Sequence, residues 1–261
     1  MNYGSKERDI VVAALKHAAP YIRMYKRKTF VIKAGGEAFA SPDKTHALLE
    51  QIAILHQVGI RVVLVHGGGP QVTKLAKELG VDTTIVQGRR ITDEKTLAVA
   101  EKVSDEISSC ILSASGELDL AAVAMNGKNS GPVLASKRPP MHVNGDNAEP
   151  IDFGYVGNIE SVDAAALHAA LENGHVPIVG PLAADSSGTL LNINADTVAA
   201  ALAAELKAEK LILATGAPGI LENPQDPQSL VSYLDLKGMQ VMRDSGSLAD
   251  GMLPKATAIE A

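Results

Sequence analysis

The sequence predicts an α/β protein: a three-layer αβα sandwich around a mostly parallel central sheet. Apolar, β-branched runs at 29–33, 61–65, 176–179 and 210–214 alternate with amphipathic or alanine-rich stretches of helical period, the β-α-β-α order of parallel sheets. Glycine clusters follow the first two runs directly, at Gly35-Gly36 and Gly67-Gly68-Gly69. Aromatics are 3% of the 261 residues, with no Trp, and a core of Val, Ile, Leu and Ala suits strands buried on both faces.

Residues 6–19 place Ile10, Val11, Ala14, Leu15 and Ala18 on one helical stripe, which the sequence ends at Pro20. Strand Thr29–Lys33 follows. Ser41-Pro42 supplies a cap and a first-turn proline for a second helix, with Leu48, Leu49, Ile52 and Leu55 facing the core and Gly59 closing it. Strand 61–65 runs into the triple glycine, which opens a helix to about Glu78. Thr92-Asp93-Glu94 opens another, to about Ser113. After a strand at 121–125, the Gly-, Pro- and Asn-rich stretch 126–157 reads as hairpins, with short alternating pieces at Pro132–Ser136 and Met141–Val143. Strand 176–179, a turn-rich link at Ala184–Gly188, a helix from Ala195 to about Leu206, strand 210–214, a loop to about Gln228 and a short helix near Leu234–Met242 complete the pattern.

Composition removes several function classes. The charge of −6 argues against general nucleic-acid or membrane binding, and the scarce aromatics against base-stacking platforms. The single Cys110 excludes an intramolecular disulfide framework and a cysteine zinc cluster, and reads as a small buried hydrophobe. No apolar run reaches membrane-spanning length and the N-terminus is polar, so the expected location is the cytoplasm.

The candidate chemistry lies at strand ends, where ligands of parallel sheets gather. Alone, Lys33 reads as a solvated lysine at a turn. Beside a second glycine-rich strand end at His66-Gly67-Gly68-Gly69, it points to a shared anion pocket, since uncovered backbone N–H groups at a helix start favour anionic oxygens. His66 reads as a packed structural residue. Of Arg89 and Arg90, one is expected to be solvated and the other can clamp a carboxylate. Asn192, Asn194 and Asp196 alternate onto one side as strand passes into helix. Asn194 can cap that helix and Asp196 favour its dipole, which leaves Asn192 over. Lys255, just inside a helix start, works against the dipole and hints at an anionic partner.

There is no Walker loop, no Rossmann fingerprint, no Gly-x-Ser-x-Gly elbow and no zinc motif. What the ordered segments do resemble is the amino-acid kinase family, within it the acetylglutamate kinases. The matching pieces are Val31-Ile32-Lys33-Ala34-Gly35-Gly36, Val63-Leu64-Val65-His66-Gly67-Gly68-Gly69-Pro70, Gly88-Arg89-Arg90-Ile91-Thr92, Phe153-Gly154-Tyr155-Val156-Gly157, Asn192-Ile193-Asn194-Ala195-Asp196 and Asp250-Gly251-Met252-Leu253-Pro254-Lys255. They run from about residue 8 to the end.

The resemblance implies transfer of the ATP γ-phosphoryl to the γ-carboxylate of N-acetyl-L-glutamate, with Mg²⁺ on the nucleotide. It implies that Lys33 and Lys255 neutralise the phosphoryl group and that Asp196 organises them. Gly36, Gly68 and Gly69 would donate N–H bonds, with Gly35, Thr215 and Gly219 also on the phosphoryl and nucleotide side. Arg90 would hold the substrate α-carboxylate and Asn192 its other polar groups; no residue is expected to bind metal by itself. Residues 1–23 are similar to an N-terminal helix extension, 24–180 to the acyl-substrate lobe and 181–261 to a nucleotide lobe whose relatives continue further. The extension implies a homodimer or hexamer, and L-arginine as feedback inhibitor. The chain departs from the family in the loop Ala214-Thr215-Gly216-Ala217-Pro218-Gly219, which lacks the usual Thr-Asp. Three other readings stay open: an arginine-sensing domain of an N-acetylglutamate synthase, a kinase/synthase fusion, and a kinase for carrier-linked aminoadipate.

Overall fold

The computed structural model describes residues 5–86, 89–127, 131–142, 149–216, 219–223, 225–226, 228–246 and 255–256. Helix α1 (Ser5–Tyr25) leads into β1 (Thr29–Ala34), a 3₁₀ turn (Gly36–Phe39), α2 (Pro42–Gln57), β2 (Arg61–His66) and α3 (Gly69–Glu78). A small antiparallel pair, β3 (Ile85–Val86) and β4 (Arg89–Arg90), precedes α4 (Glu94–Glu117), β5 (Ala122–Ala124), β6 (Val133–Lys137), β7 (Gly157–Val162) and α5 (Ala164–Glu172). Then come β8 (Val176–Val179), β9 (Leu182–Ala184), β10 (Leu190–Asn192), α6 (Ala195–Glu205), β11 (Lys210–Ala214) and α7 (Leu236–Asp244).

The central sheet is parallel, in the order β11-β1-β2-β8-β5. Strand alternation sends Phe30, Ile32, Val62 and Leu64 to one face, against Leu49 and Ile52 of α2 and Val103, Ile107 and Ile111 of α4. Val31, Val63 and Val65 go to the other, against Leu167 of α5 and Val198 and Leu202 of α6. Both faces are covered, so every residue of β1 is buried and the three layers are as expected. Register then levels the strand ends: Ala34 pairs with His66 on one side and Ala214 on the other. The loops after β1, β2 and β11 therefore leave from one edge. A second sheet has the order β10-β9-β6-β7.

Four sequence expectations need correction. Pro20 does not end the first helix, which continues to Tyr25. A proline interrupts a single backbone bond there on an exposed helix, where water can satisfy the freed carbonyl. The last turn is anchored by edge-on packing of Tyr25 against Phe30, with ring centroids 5.2 Å apart. Cys110 is exposed: the buried stripe of α4 runs through Val103, Ile107 and Ile111, and position 110 falls beside it. The antiparallel partner of β6 starts only at the last residue of the stretch read as hairpins and runs beyond it, Gly157–Val162. Helix α5 had no counterpart in the sequence reading, because an alanine-rich run shows little polar contrast; Asp163 caps it by accepting from the Ala166 N–H at 3.0 Å. Of the Met141–Val143 piece, Met141 bridges Ile151 and Val143 lies outside the described residues.

Candidate active site

The levelled strand ends surround a cleft of about 650 Å³. At its centre, Lys33 from the end of β1 and Asp196 from the first turn of α6 are 8% and 4% exposed. The Lys33 ammonium lies 3.0 Å from Asp196 Oδ1, as an ion pair rather than an aligned hydrogen bond. Lys255 donates to Asp196 Oδ2, also at 3.0 Å. A buried and a part-buried ammonium group this close would repel strongly without the shared carboxylate. Asn194 caps α6 by accepting from the Asp196 N–H at 2.7 Å, which fixes the carboxylate's backbone. Of the segment before Lys255, residues 250–254 lie outside the described residues.

The glycine walls follow from close approach. Gly68 precedes α3 with no side-chain cap, leaving the first-turn N–H groups open to a ligand. A Cβ on Gly68 would stand 3.1 Å from Val103 and Ile107 of α4, whereas at Gly69 it would meet nothing within 4 Å. A Cβ on Gly36 would run into Gln71, whose side-chain N–H donates to the Gly36 carbonyl at 2.6 Å. This clasp joins the 3₁₀ turn after β1 to the first turn of α3, and the Gly67 N–H adds a 2.8 Å bond to the Ala34 carbonyl.

Across the cleft, Arg90 donates through Nη2 to the Gly69 carbonyl (3.2 Å) and to Thr73 Oγ1 (2.8 Å). Its other terminal nitrogen, Nη1, is buried without a partner, and burial lowers the guanidinium pKa from its ordinary value. An unpaired buried donor of this kind calls for an acceptor from a ligand. The segment Phe153–Gly157 sets the neighbouring groups: Tyr155 N–H bonds the Thr92 carbonyl, the Tyr155 carbonyl accepts from Asn192 N–H, and the Val156 carbonyl accepts from Arg138 N–H, at 2.7, 2.9 and 2.8 Å. Asn192 Nδ2 reaches Thr92 Oγ1 at 3.2 Å.

Lys33, Asp196, Lys255, Gly35, Gly36, Gly68, Gly69, Arg90, Asn192 and Thr215 thus all line one cleft. Gly219 is not among its lining residues. It sits against Leu230, because the loop closes on itself through a Leu221–Leu230 bridge. His66 is fully buried at the cleft floor, 2.9 Å through Nε2 from Ser108 Oγ. Burial lowers its pKa to about 4, so it adds no charge there near neutral pH.

The match to known proteins agrees with this arrangement. The model of the amino acid kinase family matches residues 28–260. The chain belongs to that family. An acetylglutamate kinase of Myxococcus xanthus is 40% identical over 251 residues, 95% of this chain and 82% of its own. One from Archaeoglobus fulgidus is 38% identical, over 95% and 86% respectively. Among solved structures, N-acetylglutamate synthase from Neisseria gonorrhoeae, complexed with coenzyme A and L-arginine, superposes with a TM-score of 0.80 at 27% identity. That match takes in 95% of this chain, which spans a little over half, 56%, of that structure.

At or beside this amino-acid kinase cleft, three residues were not among the site residues expected from the sequence. Gln71 lay unremarked in the α3 pattern. Arg138 belongs to no motif. Glu37 follows the first glycine pair, and its carboxylate stands where a Cβ on Gly216 would run into it. The cleft edge beside β11 therefore carries an acid from the 3₁₀ turn.

Proposed function

We propose that this chain transfers the γ-phosphoryl group of ATP to the γ-carboxylate of N-acetyl-L-glutamate. The observation that carries the reading is Asp196 holding Lys33 and Lys255 on its two oxygens, between a glycine cradle and an arginine with an unpaired donor. A carboxylate oxygen bonds to the γ-phosphorus while the bond to the bridging β–γ oxygen breaks, and ADP leaves. The nucleophile is already ionised at neutral pH, so no general base is needed. The reaction rests on positioning and on stabilising charge over the transferring group. Lys33 and Lys255 supply that charge, and the N–H groups at Gly36, Gly68 and Gly69 hold oxygens in line. Arg90 and Asn192 orient the acyl substrate. On this reading residues 24–180 form the acyl-substrate lobe and 181–261 the nucleotide lobe.

Both Asp196 oxygens are engaged by lysines, and among the described residues no cluster of three metal-ligating side chains exists. Glu37 is the lining carboxylate not paired with a lysine, and it would hold a Mg²⁺ that arrives on the nucleotide. Bound there, it would supply charge neutralisation on the phosphate oxygens. The exposed apolar side chains of α1, Ile10, Leu15, Tyr21 and Met24, support self-association through this helix, and the similar synthase structure complexed with L-arginine supports L-arginine as an effector. Among the described residues no helix is long and apolar enough to cross a membrane.

Hydroxylamine trapping of acyl phosphate, with N-acetylglutamate and Mg-ATP, tests the reading. Hydroxamate formation that needs both substrates is the expected result. No product, with arginine still raising the melting temperature, would replace it by a sensing role.

A further inference from the structure

We propose that Arg138 is a specificity-determining residue, sharing the substrate's α-carboxylate with Arg90; the proposal rests on the kinase reading above. Five cationic side chains line the cleft against two carboxylates. Lys33 and Lys255 share Asp196 at the phosphoryl end, where Glu37 is the second lining carboxylate. Arg89, Arg90 and Arg138 remain on the acyl side, where no lining carboxylate faces them.

Arg138 is placed there by hydrogen bonds rather than by charge. Its Nε donates to Asn158 Oδ1 at 2.8 Å and its Nη2 to the Gly157 carbonyl at 3.3 Å, so one edge of the guanidinium is locked onto β7. Asp152, an acid in the same region, is taken by Lys137 at 3.1 Å. No described carboxylate forms an ion pair with Arg138. The residue is half-buried, its pKa lowered by burial and by the facing Arg89. A fixed, partly desolvated cation that repels its neighbour is a poor stabiliser of the empty protein. An incoming anion would relieve both costs.

The backbone brings the pair to one place. Val156 pairs with Asn192 and accepts from the Arg138 N–H, while Thr92, two residues from Arg90, pairs with Gly154. Arg90, Arg138 and Asn192 thus surround one short segment, while Lys33 and Lys255 are engaged with Asp196 at the phosphoryl end. Of the two carboxylates on an N-acylated glutamate, the one available to this pair of guanidiniums is the α-carboxylate.

Kinetics of Arg138→Met on N-acetyl-L-glutamate and on its α-carboxamide, N-acetyl-L-isoglutamine, test this. Arg138→Gln, which keeps a donor for Gly157, serves if Arg138→Met does not fold. The expected result is a KM for acetylglutamate raised roughly tenfold or more, a KM for ATP unchanged, and little further penalty on the carboxamide. An unchanged KM for acetylglutamate, or equal penalties on both compounds, overturns the proposal. Calorimetric binding of the same two compounds to wild type and variant decides the point without turnover, so a wild type that binds acetylglutamate but makes no acyl phosphate would fail the kinase reading alone.

Discussion

Lys255 and Asp196 meet at 3.0 Å from positions 59 residues apart, and the same carboxylate holds Lys33 on its other oxygen. The three charges form one unit, so removing a lysine and removing the acid are unequal operations. Either change alters the field at the phosphoryl site. Only the second leaves buried cations without a counter-charge.

Lys33→Met should lower kcat by about 10²–10³ and leave thermal stability nearly unchanged, because Asp196 keeps Lys255. Asp196→Asn should lower kcat as much and also destabilise the fold by about 3 kcal/mol, the consequence of an unpaired buried ammonium. Melting curves beside the hydroxamate assay separate the two. Equal melting temperatures for both variants would mean that the carboxylate does not hold the site together.

The glycines should rank by what surrounds them. Gly69→Ala meets nothing within 4 Å, so it should fold as wild type and report only on ligand approach through kcat and KM. Gly68→Ala presses on Val103 and Ile107 and should cost about 1–3 kcal/mol by overpacking. Gly154→Ala should be worse than either: its φ is +73° and a Cβ would run into the Thr92 carbonyl. That change would disturb Arg90 and Asn192 together, raising the KM for acetylglutamate along with the loss of stability. A melting temperature for Gly154→Ala at or above that of Gly69→Ala would refute the ranking.

The main layers were legible because their signals are local. Alternating β-branched runs ending in glycine gave β1 and β2, and caps such as Ser41 and Asp93 gave α2 and α4. From its own segment Lys255 was legible as a misplaced charge at a helix start, and its role came only through the resemblance, since its partner lies in another part of the chain. Arg138 and Glu37 had no local signal, because their meaning comes from the cleft they face and from Gly216 across it. Cys110 was misread from residue type, although the spacing of Val103, Ile107 and Ile111 already places it off the buried stripe of α4.

His66 should leave a signature in the pH dependence of stability. Its pKa falls from 6.5 to about 4 in the fold, with burial as the cause. Between those values the unfolded chain binds a proton that the folded one refuses. Stability from this group is therefore present above pH 6.5 and lost as pH falls toward 4, by about 3 kcal/mol in all. The carboxylates of Asp93, Asp152 and Asp185, lowered from 3.8 mainly by hydrogen bonds, act at lower pH and do not blur the window. His66→Gln keeps a polar partner for Ser108 without a titrating ring, so its denaturation free energy should flatten between pH 6.5 and 4. A slope equal to that of wild type would assign the acid sensitivity to another group.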